Sequence, residues 1–106
     1  MRIKCAAIIH NDVVHEGRSH AEIGWEMVDT GACSKPFPSG FYQGFVTDGG
    51  NYVDRRLAMI IAIKAGQVEK GKTIGGQGTL YSEDLIYSKT FDYPLKEKRY
   101  IRKNNP

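Results

Sequence analysis

The chain opens on a stretch whose side chains alternate as a strand's do. Ile3, Cys5, Ala7 and Ile9 fall on one side and Lys4, Ala6 and Ile8 on the other. Val13-Val14-His15 resumes strand character after the turn residues Asn11-Asp12, which predicts a first hairpin. Ser19 stands three residues before Glu22, the S-x-x-E spacing of a capping box, and opens a short helix to about Val28. Ala21, Ile23, Trp25, Met27 and Val28 give that helix its apolar side. Gly24 in its interior costs about 1 kcal/mol against alanine, which predicts a close backbone approach there. Gly31 ends the helix, and residues 32–40, with Pro36 and Pro38, read as loop.

The most organised part of the pattern is Gln43 to Gly66. Phe45-Val46-Thr47 reads as a strand, Asp48-Gly49 as the centre of a two-residue type I′ turn, and Tyr52-Val53 as the returning strand. Asp54 caps a helix that runs through Leu57 to Ile63 without a breaker and stops at Gly66. Leu57, Ile60 and Ile61 form one apolar stripe, Met59 and Ile63 a second, and Ala58, Ala62 and Ala65 fill the gap. A helix apolar nearly all round calls for burial on two sides, so a sheet is expected on one and a second copy of the chain on the other. The predicted fold is α+β: a small antiparallel sheet from two hairpins decorated by two helices, the second in an oligomer interface. Beyond it, residues 71–78 form a connection with four glycines, and Thr79 to Leu85 a compact polar turn. Ile86 to Leu95 reads as an extended edge segment with Tyr87, Phe91 and Tyr93 on one face.

Composition changes this picture little. The 106 residues suit one domain over residues 1–95, and 41% hydrophobic with 25% charged residues is ordinary for a globular protein. No stretch approaches the roughly 18 apolar residues of a membrane span, so a cytosolic protein is expected. Charge matters more once it is located. Five basic residues and one acid lie in the tail 96–106, which leaves ten basic against eleven acidic residues in the rest of the formal +3. A near-neutral body with a basic, flexible tail argues for a solvated terminus rather than a nucleic-acid surface.

The chemical motifs are mostly negative. Gly66 to Thr73 fits G-x-x-x-x-G-K-[ST], but a phosphate-cradling P-loop lies between a strand and a following helix, and here a helix comes first. His10, His15 and His20 lack the spacing of a zinc site, and His10 and His15 are expected at opposite ends of a hairpin arm. Cys5 reads as a small buried hydrophobe and Cys33 as a loop residue. No nucleophile, paired acid and base, metal or cofactor set can be assembled, so the expectation is a protein that is not an enzyme.

A polar cluster remains: Arg18 and His20 at one helix start, Asn51, Asp54, Arg55 and Arg56 at the next, with Gln43 and Gln67 flanking. Helix N-termini beside arginines suit phosphate groups, and Phe45, Tyr52 and Tyr81 could present ring faces to a base. The competing reading is of solvated arginines and core aromatics.

Four segments carry a resemblance: Arg18-x-His20-Ala21-x-Ile23, Gln43 to Arg55, Ala65-Gly66-Gln67 and Leu80-Tyr81-Ser82-Glu83-Asp84-Leu85. Over residues 3–86 the chain resembles the small phage "sponge" proteins that counter Thoeris defence. That resemblance implies a dimer or higher homo-oligomer in the infected host's cytoplasm. It also implies a protein that binds a glycocyclic ADP-ribose messenger, in some cases cyclic oligonucleotides, without cleaving it. Arg18, His20, Phe45, Asp54, Arg55 and Gln67 are the expected ligand-binding residues. The alternatives are a nucleic-acid-binding accessory protein using the tail, and an inhibitor directed at a host defence enzyme through the Ile86 to Tyr93 face.

Overall fold

The computed structural model describes residues 1–34, 42–74, 78–88, 91 and 93. Four strands, β1 (Ile3–His10), β2 (Val13–Gly17), β3 (Tyr42–Thr47) and β4 (Tyr52–Val53), form one antiparallel sheet in the order β2-β1-β3-β4. Helices α1 (His20–Asp29) and α2 (Arg55–Lys64) pack on the sheet, and a one-turn helix α3 (Ser82–Ile86) follows. The α+β architecture expected from the pattern is the one observed. The tail 96–106 and the loop residues 35–41 lie outside the described residues.

Local chemistry accounts for each boundary. Asn11 and Asp12 both take positive φ, as a two-residue type I′ turn requires, and His10 pairs with Val13 across it. The β3–β4 turn differs from the two-residue expectation. Thr47 N–H donates to Asn51, Gly50 N–H donates back to Thr47, and Gly50 rather than Asp48 or Gly49 takes positive φ. This is a three-residue loop closed by a left-handed glycine. Both long helices end alike: Gly31 and Gly66, each at positive φ, and the residues after them donate to Val28 and Met27, and to Ile63 and Ala62, in Schellman motifs. Ser19 caps α1 through Glu22 N–H at 3.1 Å, but the reciprocal half of the box is missing because the Glu22 carboxylate turns to Arg18.

The sheet face that packs on the helices differs from simple alternation. Ile3 pairs with Thr47 and Cys5 with Val46, so Lys4 is an extra, bulged residue. The bulge moves Ile3 to the side of Ala6 and Ile8 and leaves Cys5 and Ala7 on the other. Ile3, Ala6 and Ile8 join Phe45, Val53, Ile23, Met27, Ala58, Met59, Ile61, Ala62, Leu80 and Leu85 in the core. The α2 stripes also separate: Met59 and Ile61 are buried and Ile63 half-buried, while Leu57 and Ile60 are exposed. At the C-terminal end, Ile86 belongs to α3 rather than to an extended segment, and Tyr87 projects into solvent.

Two sequence expectations about chemistry meet the fold here. Helix α2 precedes the P-loop-like run, as the pattern indicated, and the one-turn α3 that comes later turns carboxylates toward it: Glu83 and Asp84 share a groove with Gln67, Lys72 and Thr73, and Asp84 Oδ1 accepts Ile74 N–H at 2.7 Å. His10 and His15 are not kept apart by the hairpin. Strand alternation puts both on one face, and the pKa of His15 is lowered by burial and then by His10. Among the described residues no group of three His, Cys, Asp or Glu side chains could hold a metal ion, Cys5 and Cys33 are not joined in a disulfide, and no helix is long and apolar enough to cross a membrane.

Candidate functional site

Arg55 is the first residue of α2, and its direction is set from three sides. One terminal nitrogen donates to the Leu80 carbonyl at 2.7 Å and the other to Gln43 Oε1. The guanidinium carbon lies 5.1 Å from the centre of the Tyr81 ring, a cation–π distance. The Arg55 carbonyl accepts from Leu80 N–H at 3.0 Å, so main chain and side chain both bind the same residue. Burial lowers the Arg55 pKa, while Tyr81, Glu83 and Tyr52 pull it back up. Its hydrogen-bond acceptors are nevertheless neutral: among the described residues no carboxylate pairs with it. Glu83 acts on the guanidinium only through space, so this half-buried charge is incompletely compensated by the described residues.

Beneath it lies His20. Its Nε2–H donates to the Gly44 carbonyl at 2.8 Å, and its ring meets the Phe45 ring edge-on at 5.1 Å. Burial pushes the imidazole down to about 4, with the Arg55 charge lowering it further and backbone contacts to Gly44 and Ala7 partly opposing. His20 is therefore a neutral structural ring at ordinary pH. Gly44 serves the same neighbourhood by lacking a side chain: a Cβ there would collide with the Tyr52 hydroxyl and the Val53 carbonyl. Tyr52 is half-buried, its phenol pKa raised by burial and Asp54 and lowered by Arg55.

The six expected binding residues thus divide. Asp54 and Arg55 stand at the α2 start, where Asp54 Oδ1 accepts Leu57 N–H at 2.8 Å, and His20 lies close enough to feel the Arg55 charge. Phe45 is fully buried, so the ring face expected of it is not offered to solvent. Tyr52 and Tyr81 are the accessible aromatics of this region. Gln67 is buried with its amide engaged by Ile3. Arg18 faces Glu22 at 3.6 Å. What sequence reasoning missed is Leu80, whose carbonyl aims Arg55 from 25 residues away. The run Leu80-Tyr81-Ser82 held a hint, since its Tyr81 reads as a ring face, but nothing in its spacing announces a backbone acceptor.

No curated protein and no solved structure matches the chain. A family model does, over residues 2–86, which takes in every strand and helix described above and both ends of the Arg55 contacts. The chain belongs to the phage T4 y16D protein family.

Proposed function

We propose that this phage-family protein binds a phosphorylated nucleotide messenger at Arg55 and sequesters it without turning it over. Glycocyclic ADP-ribose is the member of that class to which the sequence resemblance points, and cyclic oligonucleotides are the related one. The observation that carries the reading is the half-buried Arg55 guanidinium, held by two neutral acceptors and a tyrosine face but by no carboxylate among the described residues. An anionic oxygen arriving there gains a charge-assisted bond to a donor already ordered. Tyr81, 41% exposed, offers a ring for a base beside the cation, and Asp54 can accept from ribose hydroxyls at the cost of its cap. Sequestration fits better than turnover because the histidine of this region, His20, has its ring buried and its Nε2–H committed to Gly44.

The test is to incubate the protein with ADP-ribose, its cyclic forms and cyclic oligonucleotides in turn, remove free ligand, denature by heat and analyse what is released. Intact ligand in stoichiometric amount supports the reading, altered ligand means an enzyme, and no retained ligand from any of them removes it.

A further inference from the structure

Away from the Arg55 site, α2 turns a different face to solvent. Leu57 and Ile60 are about half exposed, and Ile60 lines both of two open grooves and so stands as the ridge between them. One groove, of about 540 Å³, is floored by Met59, Ile60 and Ile63 and flanked by Arg56 and Lys70. The other, of about 390 Å³, is lined by Val53, Leu57, Ile60 and Ile61 and flanked by Lys64. Neither groove is lined by an acidic side chain. The sequence neighbours that could have neutralised these cations are engaged elsewhere: Asp54 caps α2, and Glu69 pairs with Lys72 at 3.2 Å. Among the described residues Arg56, Lys64 and Lys70 have no ion-pair partner.

We infer that this face docks an amphipathic helix of another protein whose apolar stripe is bordered by Asp and Glu. The shape argues for a helix. Two shallow grooves on either side of one ridge accept side chains at i and i+3 or i+4, with the ridge entering the groove between them, whereas a small molecule is better enclosed by a single closed pocket. Charge argues for an acidic one. A second copy docked through this same face by a two-fold axis would set Arg56, Lys64 and Lys70 against themselves with no acid between, so the face selects against its own kind. The inference is independent of the ligand reading, since none of its residues contacts Arg55 through a described bond.

The probes are two synthetic helical peptides with the same leucine stripe, one bordered by Glu and one by Lys, titrated into the full chain by fluorescence anisotropy. The Glu-bordered peptide is expected to bind at micromolar concentration and the Lys-bordered one at least about tenfold more weakly, since three rim pairs change sign. The triple variant Arg56→Glu, Lys64→Glu, Lys70→Glu should invert that order. Ile60→Asp, at an exposed position and so expected to keep the wild-type melting temperature, should abolish binding of both peptides. Equal binding of the two peptides, binding of neither, or sedimentation of the wild type as a dimer that Ile60→Asp makes monomeric would each overturn the inference.

Discussion

Gln67 binds both main-chain groups of Ile3: its Oε1 accepts the Ile3 N–H at 2.8 Å and its Nε2 donates to the Ile3 carbonyl at 2.8 Å. Strand β2 ends its pairing with β1 at Ala6, so among the described residues the start of β1 has no strand neighbour on that side. The amide supplies the donor and acceptor of the missing strand, inside the protein, from the residue that follows the α2 Schellman turn. One side chain thereby fixes how the end of α2 meets the first strand.

Gln67→Leu keeps the volume and removes both bonds. Two buried backbone groups lose their partner, each costing about 1–3 kcal/mol. The variant should be less stable by roughly 2–6 kcal/mol in denaturant unfolding. A loss below about 0.5 kcal/mol would show that water replaces the amide and that the site is not closed.

His20 predicts an acid dependence with a definite sign. Its folded-state pKa, about 4, lies below the ordinary 6.5, so between these values the unfolded chain carries the extra proton. The contribution is complete above about pH 6.5 and is lost as pH falls toward 4, up to about 3 kcal/mol at 1.36 kcal/mol per unit. His15 shifts in the same direction and adds to it. Unfolding free energies of wild type and His20→Gln at pH 7.5 and 4.5 check this: the variant should be less stable at the higher pH and show the flatter dependence.

Cys5 should be chemically silent. It is fully buried, and burial, then the Glu16 carboxylate, pushes its thiol up to about 12. The thiolate is the reactive form, so iodoacetamide at pH 7.5 should leave Cys5 unlabelled in the native protein and label it in denaturant. Peptide mass spectrometry of both digests reads the outcome, and labelling of native Cys5 would mean that the strand opens.

Much of the fold was readable because its signals are local. Asn11-Asp12, Ser19, Asp54, Gly31 and Gly66 each perform the turn, cap or stop that their chemistry allows, and each acts within a few residues of itself. What escaped was set by distant partners. The Lys4 bulge depends on β3 and reverses which side Ile3 joins, although nothing within Ile3–Ile9 breaks the alternation. The site divides in the same way. Arg55 and Asp54 were legible as a helix start. Gln67 and Phe45 were not separable from binding residues, because a buried amide and a ligand-binding amide are the same residue type until the strand beside it is known.

Arg55 itself gives the sharpest test, since one substitution removes both its structural contacts and the binding role proposed for it. Through Leu80 and Tyr81 it ties the approach to α3 to the start of α2, so Arg55→Ala should cost about 1–2 kcal/mol, the order of one or two hydrogen bonds, and not leave stability untouched. Leu80 N–H still bonds the Arg55 carbonyl in that variant, which keeps the segment in place and the protein folded. Messenger affinity should fall further than stability does, by about tenfold or more, because a charge-assisted bond is worth about 1.5–3 kcal/mol. Tyr81→Ala separates the tasks: it removes the ring but leaves the guanidinium on Leu80 and Gln43, so it should weaken nucleotide binding with little change in melting temperature. Calorimetric titration and thermal unfolding on the same preparations read both quantities. A folded Arg55→Ala protein with wild-type affinity would reduce Arg55 to a structural clamp and place the ligand elsewhere.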